Sequence, residues 1–289
     1  MTPVPSTIAE WLRQGEAQLR AGPHPDPARR DAELLLLAVL GRDRAALLAD
    51  RNQLLAPLDA DRFRALIARR KLGEPIQYIL GQTEFYGLPF EVSPAVLIPR
   101  PETERLVEKV IDWAKAESSR IPAPRILDVG TGSGVIAIAL ARHLPHAAVT
   151  AIDISTPALT IAEKNANRNQ ASIRFLQGDL LVPVAGEIFN IVVSNPPYVP
   201  AADRSSLAVE VRDHEPALAL FAGPDGLEVY RRLIPAAFGA LTPGGLIALE
   251  IGYAQSPAIA ALLNHAGFRN AEFSPDLQGI PRVACAIKP

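Results

Sequence analysis

The spacing of apolar residues changes character along the chain, and each change marks a change of architecture. Over residues 1–80 apolar positions recur at helical intervals, broken by helix-ending residues. Thr7 followed by Glu10 reads as a capping box, and Ala21-Gly22-Pro23 stops the helix it opens. Asp26 is placed to cap a second helix, with Pro27 in its first position, Ala32 to Leu40 as its apolar run and Gly41 at its end. Further helices fit Arg44 to Asp50 and Leu58 to Leu72, the latter with Phe63, Leu66 and Ile67 on one face. The pattern predicts a small all-helical domain.

The texture then shifts. In Thr83 to Val92 aromatic and β-favouring residues flank a glycine-containing turn, which predicts a β-hairpin linker over residues 81–98. From Arg125 onward strands and helices alternate: Ile126 to Val129, Ser133 to His143, Ala148 to Ile152, Thr156 to Asn169, Ile173 to Gln177 and Phe189 to Ser194. A helix over Leu227 to Leu241, a strand over Leu246 to Ile251, a helix over Pro257 to Ala266 and a strand pair near Phe273 and Val283 complete the series. Residues 99–289 therefore read as an α/β, Rossmann-like domain built on a mostly parallel sheet.

Composition narrows the function classes. With 48% hydrophobic and 21% charged residues the chain is globular, and a net charge of −2 gives it no general attraction for nucleic acid or anionic membranes. Residues 1–90 carry 12 basic and 11 acidic side chains, so the helical part has no electrostatic footprint for nucleic acid either. Apolar runs such as Leu34 to Leu40 are far too short to span a bilayer, and no basic-then-apolar leader is present, so a cytoplasmic protein is expected. The single cysteine, Cys285, sits in an apolar stretch and reads as a buried strand residue.

Two motifs carry chemistry. Asp128-Val129-Gly130-Thr131-Gly132-Ser133-Gly134 lies at a strand-to-helix turn, where ligands approach the backbone closely. Its Gly-x-Gly-x-Gly spacing differs from the dinucleotide fingerprint and suits a nucleoside cofactor without a pyrophosphate. Asp153, closing the second strand, is placed to accept from both hydroxyls of a ribose, and Asp179, closing the third, from the amine of an adenine covered by Leu180. Together these features match S-adenosylmethionine.

The second motif, Asn195-Pro196-Pro197-Tyr198, ends a buried strand at the edge of the sheet where the crevice of such a fold lies. Two prolines stiffen the backbone and remove donors, leaving the Pro196 carbonyl as an acceptor beside the Asn195 side-chain oxygen. Two acceptors side by side suit one NH2 group, and the Tyr198 ring can stack on the plane that carries it. An amide and the exocyclic amine of an adenine or cytosine in DNA or RNA both fit this description. A glutamine of a ribosomal protein, or a binding module that has lost catalysis, are further readings.

With these motifs in place the chain resembles the HemK/PrmC family of N5-glutamine methyltransferases along nearly its whole length. The shared text includes Glu84-Phe85-Tyr86-Gly87, the junction Leu97-Ile98-Pro99-Arg100-Pro101-Glu102-Thr103-Glu104, the stretch Glu210 to Pro216 running into Ala217-Leu218-Ala219-Leu220, and Asp225-Gly226-Leu227. The resemblance implies a seven-stranded methyltransferase sheet and methyl transfer to the glutamine of the Gly-Gly-Gln motif in peptide chain release factors. It also implies a cofactor site of Gly130 to Gly134, Asp153, Asp179, Leu180 and Asn195, and a substrate site of Asn195, Pro196, Pro197 and Tyr198, with Asn195, Pro196 and Tyr198 catalytic. Residues 1–80 would dock the release factor, the enzyme would work as a monomer, and neither nucleic acid nor membrane would be its substrate or partner. Leu180 departs from relatives with an aromatic residue there.

Other candidates have blander readings. Arg100, Glu102 and Glu104 suit the start of a helix, with Pro101 in its first position. Glu250 is a lone acid in an apolar strand, either paired internally or facing the crevice, and stays outside the predicted site. His143 and His146 lack a third metal ligand, and Arg69-Arg70-Lys71 reads as a solvated helix end.

Overall fold

The computed structural model describes residues 6–289, and the chain divides into two compact units. The first runs up to Gly81 and takes in a short later segment, Ala208–His214; the second comprises Gln82–Leu207 and Glu215–Pro289. The β-hairpin therefore belongs to the second unit, and the later segment that returns to the first has no counterpart in the sequence pattern.

The helical unit contains α1 (Ile8–Arg20), α2 (Ala28–Leu40), α3 (Arg44–Ala49), α4 (Pro57–Lys71), α5 (Ile76–Leu80) and the later α9 (Val209–His214). Its core packs Trp11 edge-on against Phe63, with Leu35, Leu36 and Ile67 almost fully buried around them. The capping box forms as predicted: Thr7 Oγ1 accepts from the Glu10 N–H and the Glu10 carboxylate accepts from the Thr7 N–H. Backbone donors from Ser6 and Thr7 hold the Glu10 carboxyl down at about 2.

Two local expectations are corrected. Asp26 does not cap α2; Pro27 occupies the N-cap position without a side-chain bond, and the Ala28 N–H bonds to the Pro25 carbonyl at 3.3 Å. A backbone turn has taken the place of the carboxylate. Arg70 is not solvated but buried, its Nε donating to Asp31 at 2.7 Å and its Nη1 to Glu210 of α9 at 2.9 Å. Arg69 and Lys71 remain exposed.

In the second unit the hairpin is β1 (Gln82–Phe85) and β2 (Leu88–Glu91), followed by α6 (Pro101–Ala116). Then come β3 (Arg125–Val129), α7 (Val135–His143), β4 (Ala148–Asp153), α8 (Thr156–Arg168), β5 (Ile173–Gln177) and β6 (Phe189–Ser194). The unit closes with α10 (Glu228–Ala240), β7 (Leu241–Glu250), α11 (Ser256–Ala266), β8 (Arg269–Pro275) and β9 (Pro281–Ile287). The seven-stranded sheet runs β5-β4-β3-β6-β7-β9-β8, parallel from β5 to β7, with β9 antiparallel to both neighbours.

Strand residues alternate between two apolar layers, as the pleat requires. Ile126, Ile191 and Leu246 face a layer shared with α6 and α7, while Leu127, Val192 and Ile247 face α10 and α11. Buried Asn165 of α8 clamps the hairpin: it accepts from the Glu91 N–H and donates to the Glu91 carbonyl and to Ser133 O of the glycine loop. Cys285 is a partly covered β9 residue whose thiol burial pushes up to about 11. Strand order reverses between β3 and β6, which opens a crevice at the strands' carboxyl ends. Among the described residues no helix is long and apolar enough to cross a membrane.

Candidate active site

The carboxyl ends of β3, β4 and β6, the turn after β5 and the start of α6 surround one cavity of about 360 Å³. Gly130, Thr131, Gly132, Ser133, Asp153, Asp179, Leu180, Asn195, Pro196 and Pro197 all line it. Two predicted site residues do not. Gly134 serves the packing of α7 on α8, since a Cβ there would lie 3.2 Å from Ala162 Cβ. Tyr198 lies beside the cavity, with its hydroxyl turned to Glu250 at 3.3 Å.

The glycine loop is pinned to β4. The N–H groups of Gly130 and Thr131 both donate to Ile152 O, that of Gly132 donates to Asp153 Oδ2 at 2.8 Å, and that of Gly134 turns back to Thr131 O. With these donors committed, the loop offers no nest of free N–H groups for a pyrophosphate, which agrees with its spacing. Beneath it Asp128 is fully buried; Oδ2 accepts from the Thr131 hydroxyl and the Ala137 N–H, while Oδ1 has no partner. Burial raises its carboxyl to about 7.

Asp153 accepts from the Gly132 N–H through Oδ2 and from the Ser155 N–H through Oδ1, so both oxygens are oriented by backbone. A carboxylate has about four lone-pair positions, which leaves room for two hydroxyl donors. Its burial raises its pKa, against the pull of those N–H groups. Asp179 is half exposed and paired with Arg232, another cavity residue, which competes for the oxygen assigned to an adenine amine. These features fit a nucleoside-bearing cofactor: one carboxylate for a ribose, a glycine-lined floor and no phosphate cradle.

A second part of the lining, the acceptor wall, lies after β6: Asn195 Nδ2 donates to Thr103 Oγ1 at 3.2 Å, and Thr103 Oγ1 donates to Glu250 Oε2 at 2.6 Å. Glu250 is fully buried, and burial raises its carboxyl to about 7 although Thr103 and Tyr198 both donate to it. The motif backbone is fixed from below. Gln255 Nε2 donates to Tyr198 O at 3.0 Å, and Gly226 approaches that carbonyl so closely that a Cβ would stand 2.2 Å from it. Beyond the motif, the Val199 N–H bonds to Leu220 O and the Ala222 N–H to Val199 O, placing Leu218, Ala219 and Phe221 on the cavity rim. Glu215 accepts from Arg100 at 2.6 Å and from the Ile98 N–H, tying the stretch after α9 to the α6 junction.

Sequence reasoning missed Thr103, Glu250 and Gln255 as parts of this wall. Glu250 did leave a signal, an acid in an apolar strand, and Thr103 sat unremarked inside the junction text.

Comparison with known proteins follows the same division. Residues 10–81 match the model of the PrmC N-terminal domain and residues 115–212 that of the methyltransferase small domain. The release factor glutamine methyltransferase of Moorella thermoacetica is 45% identical, covering 98% of this chain and 99% of the relative. That of Geobacter sulfurreducens is 43% identical over 96% and 94%. Among solved structures, the T. thermophilus 16S rRNA methyltransferase in complex with AdoMet and guanosine shares the fold, with a TM-score of 0.54 and 20% identity over 72% of this chain and 50% of that one.

Proposed function

The chain belongs to the release factor glutamine methyltransferase family, and on that premise we propose that it methylates N5 of the glutamine in the Gly-Gly-Gln motif of a peptide chain release factor. It is an S-adenosylmethionine-dependent methyltransferase with a Rossmann-like catalytic unit. The observation that carries the substrate reading is that Asn195 and Pro196 line the same cavity as the glycine loop and Asp153, so that a side-chain amide oxygen and a backbone carbonyl stand near the cofactor site.

Asp153 would hold the ribose of the cofactor, Leu180 would cover its adenine, and Gly130 to Ser133 would follow its amino-acid part. When bound, S-adenosylmethionine supplies a methyl group activated by its sulfonium.

An amide nitrogen is a weak nucleophile because its lone pair is delocalised into the carbonyl. Asn195 Oδ1 and the Pro196 carbonyl would each accept one N–H of the substrate amide, which turns the nitrogen's remaining face towards the methyl group. The same acceptors stabilise positive charge as it develops on nitrogen in the transition state. Transfer would exchange the sulfonium S–C bond for an N–C bond, with the S–C electron pair staying on sulfur, and the extra amide proton would pass to water after Asn195 Oδ1 and the Pro196 carbonyl have held both N–H groups in place. Tyr198, set back from the cavity with its carbonyl held by Gln255, would keep the motif rigid and close the site beside the substrate plane. Residues 1–80 would dock the body of the factor, and recognition and chemistry would then fall to different parts of the chain.

The test is transfer of labelled methyl from S-adenosylmethionine to a purified release factor, beside the same factor with its Gly-Gly-Gln glutamine replaced and beside duplex DNA. Label on the intact factor alone is the expected result. Label on DNA or on the replaced factor would overturn the assignment of the acceptor.

A further inference from the structure

Three residues distant in the chain meet behind the acceptor wall: Asn195 after β6, Thr103 in the first turn of α6 and Glu250 at the end of β7. Their hydrogen bonds have a direction fixed by proton count. A threonine hydroxyl has one proton and two lone pairs, whereas a carboxylate oxygen has lone pairs only. While Glu250 is ionised, the 2.6 Å contact with its Oε2 takes the single proton of Thr103. What Thr103 then offers Asn195 is a lone pair, so the Asn195 group facing it must be the NH2. The carbonyl oxygen of the same amide is left pointing away from Thr103.

The opposite orientation is penalised. Rotating the Asn195 amide by half a turn would set its oxygen against the Thr103 lone pair in a buried setting, with one hydrogen bond lost. It would also present an NH2 where the substrate amide brings its own N–H donors. A flipped Asn195 would suit a substrate carboxylate or carbonyl instead.

We propose that Thr103 and Glu250 are positioning residues that set the polarity of the Asn195 side chain, and so select an amide NH2 over a carboxylate at the acceptor site. The proposal rests on the reading of Asn195 as acceptor for the substrate N–H. Glu250 is suited to the role by its environment: Tyr198 occupies its other oxygen at 3.3 Å, and the Tyr230 hydroxyl donates to its backbone carbonyl at 2.6 Å, so the side chain has one place to go.

The experiment uses the full chain, S-adenosylmethionine and a release factor, and compares Thr103→Ser, Thr103→Ala and Thr103→Val. Serine keeps the hydroxyl with nearly alanine's volume, while valine keeps threonine's shape without the hydroxyl. The expected outcome is a kcat lowered about tenfold to hundredfold in the alanine and valine variants and restored to within about threefold by serine. Cofactor affinity should stay within about twofold throughout. A factor with glutamate in place of the motif glutamine should compete better, relative to the glutamine factor, against the alanine variant than against the parent enzyme. If serine behaves as alanine does, the role is packing and the proposal is overturned, a result that holds even where valine fails to fold. Equal discrimination between glutamine and glutamate factors in parent and alanine variant would overturn it as well. Failure of the parent enzyme to methylate the factor at all would instead refute the substrate reading, which keeps the two failures apart.

Discussion

The two walls of the cavity are built in opposite ways. The cofactor wall is local: Asp128, the glycine loop and Ala137 lie within one strand-turn-helix, and the loop's donors go to the neighbouring strand end at Ile152 and Asp153. The acceptor wall is assembled from afar, with Thr103 and Glu250 separated by 147 positions and Gln255 and Gly226 holding Tyr198 from two further elements. A local wall can be read, and copied, as a motif. An assembled wall depends on the whole sheet being in register, which makes its geometry the more exacting of the two and suits it to the step where orientation carries the rate.

The sharpest way to break this contrast is to remove one key group from each wall. Asn195→Ala should lower kcat about 10²- to 10³-fold, the range for losing one pre-organised transition-state partner, while cofactor affinity stays near that of the parent. Asp153→Ala should act in the other sense, raising the cofactor Kd about tenfold to hundredfold through two lost ribose bonds and the freed Gly132 N–H. Calorimetry for cofactor binding and single-turnover methyl transfer separate the two. Parallel losses of affinity and kcat in both variants would show that the walls do not divide the work.

The same contrast explains what was legible in the sequence. Gly130 to Gly134 and Asn195 to Tyr198 are contiguous text, and both lie at strand ends in the structure, as their apolar flanks predicted. The strand-helix alternation gave the layer order because Ile126 and Leu127, or Ile191 and Val192, point to opposite layers by the pleat alone. Illegible parts have partners that local text does not contain. Arg70 reads as a solvated helix end until Glu210 arrives from 140 positions away. β7 begins at Leu241, through Thr242-Pro243-Gly244-Gly245, because the Gly244 N–H finds Lys288 O and Gly245 O accepts from the Lys288 N–H. In isolation those four residues spell a turn. Asp26 shows the converse: a good capping residue stands idle where the backbone turn at Pro25 satisfies the helix first.

The buried carboxylates give a second comparison, smaller in effect. Glu250 sits at about 7 against an ordinary 4.5 because burial penalises its charge. Its folded value is the higher one, so between these values the folded state binds more protons than the unfolded state. The stability associated with it is therefore complete below about pH 4.5 and is lost as pH rises through about 7. Glu250→Gln removes this titration, while Asp128, raised in the same direction by the same cause, titrates in both proteins and cancels. The parent should lose up to ~3 kcal/mol relative to the glutamine variant between pH 4.5 and pH 8, measured by urea unfolding. A stability difference that stays constant with pH would mean that Glu250 is not desolvated as its burial implies.

The smallest effect belongs to Gly134, at the end of the glycine loop and outside the cavity lining, and tests whether the support behind the cofactor wall is tolerant. Gly134 has φ of +83°, and an added Cβ would stand 3.0 Å from Ile138 Cδ1, 3.2 Å from Ala162 Cβ and 3.4 Å from Ala162 Cα. Two costs are mixed there, a left-handed backbone worth ~1–2 kcal/mol for an L residue and a tight approach of α7 to α8. Gly134→Ala should lower stability by about 2–3 kcal/mol, several degrees in Tm for a unit of this size. Adding Ala162→Gly removes the contact at Cβ but leaves φ unchanged, so it should recover only part of the loss beyond its own helix penalty of about 1 kcal/mol. Full recovery would assign the glycine to helix packing alone; none would assign it to the backbone turn, making the end of the loop a requirement of chain geometry and leaving the cofactor contacts to the residues before it.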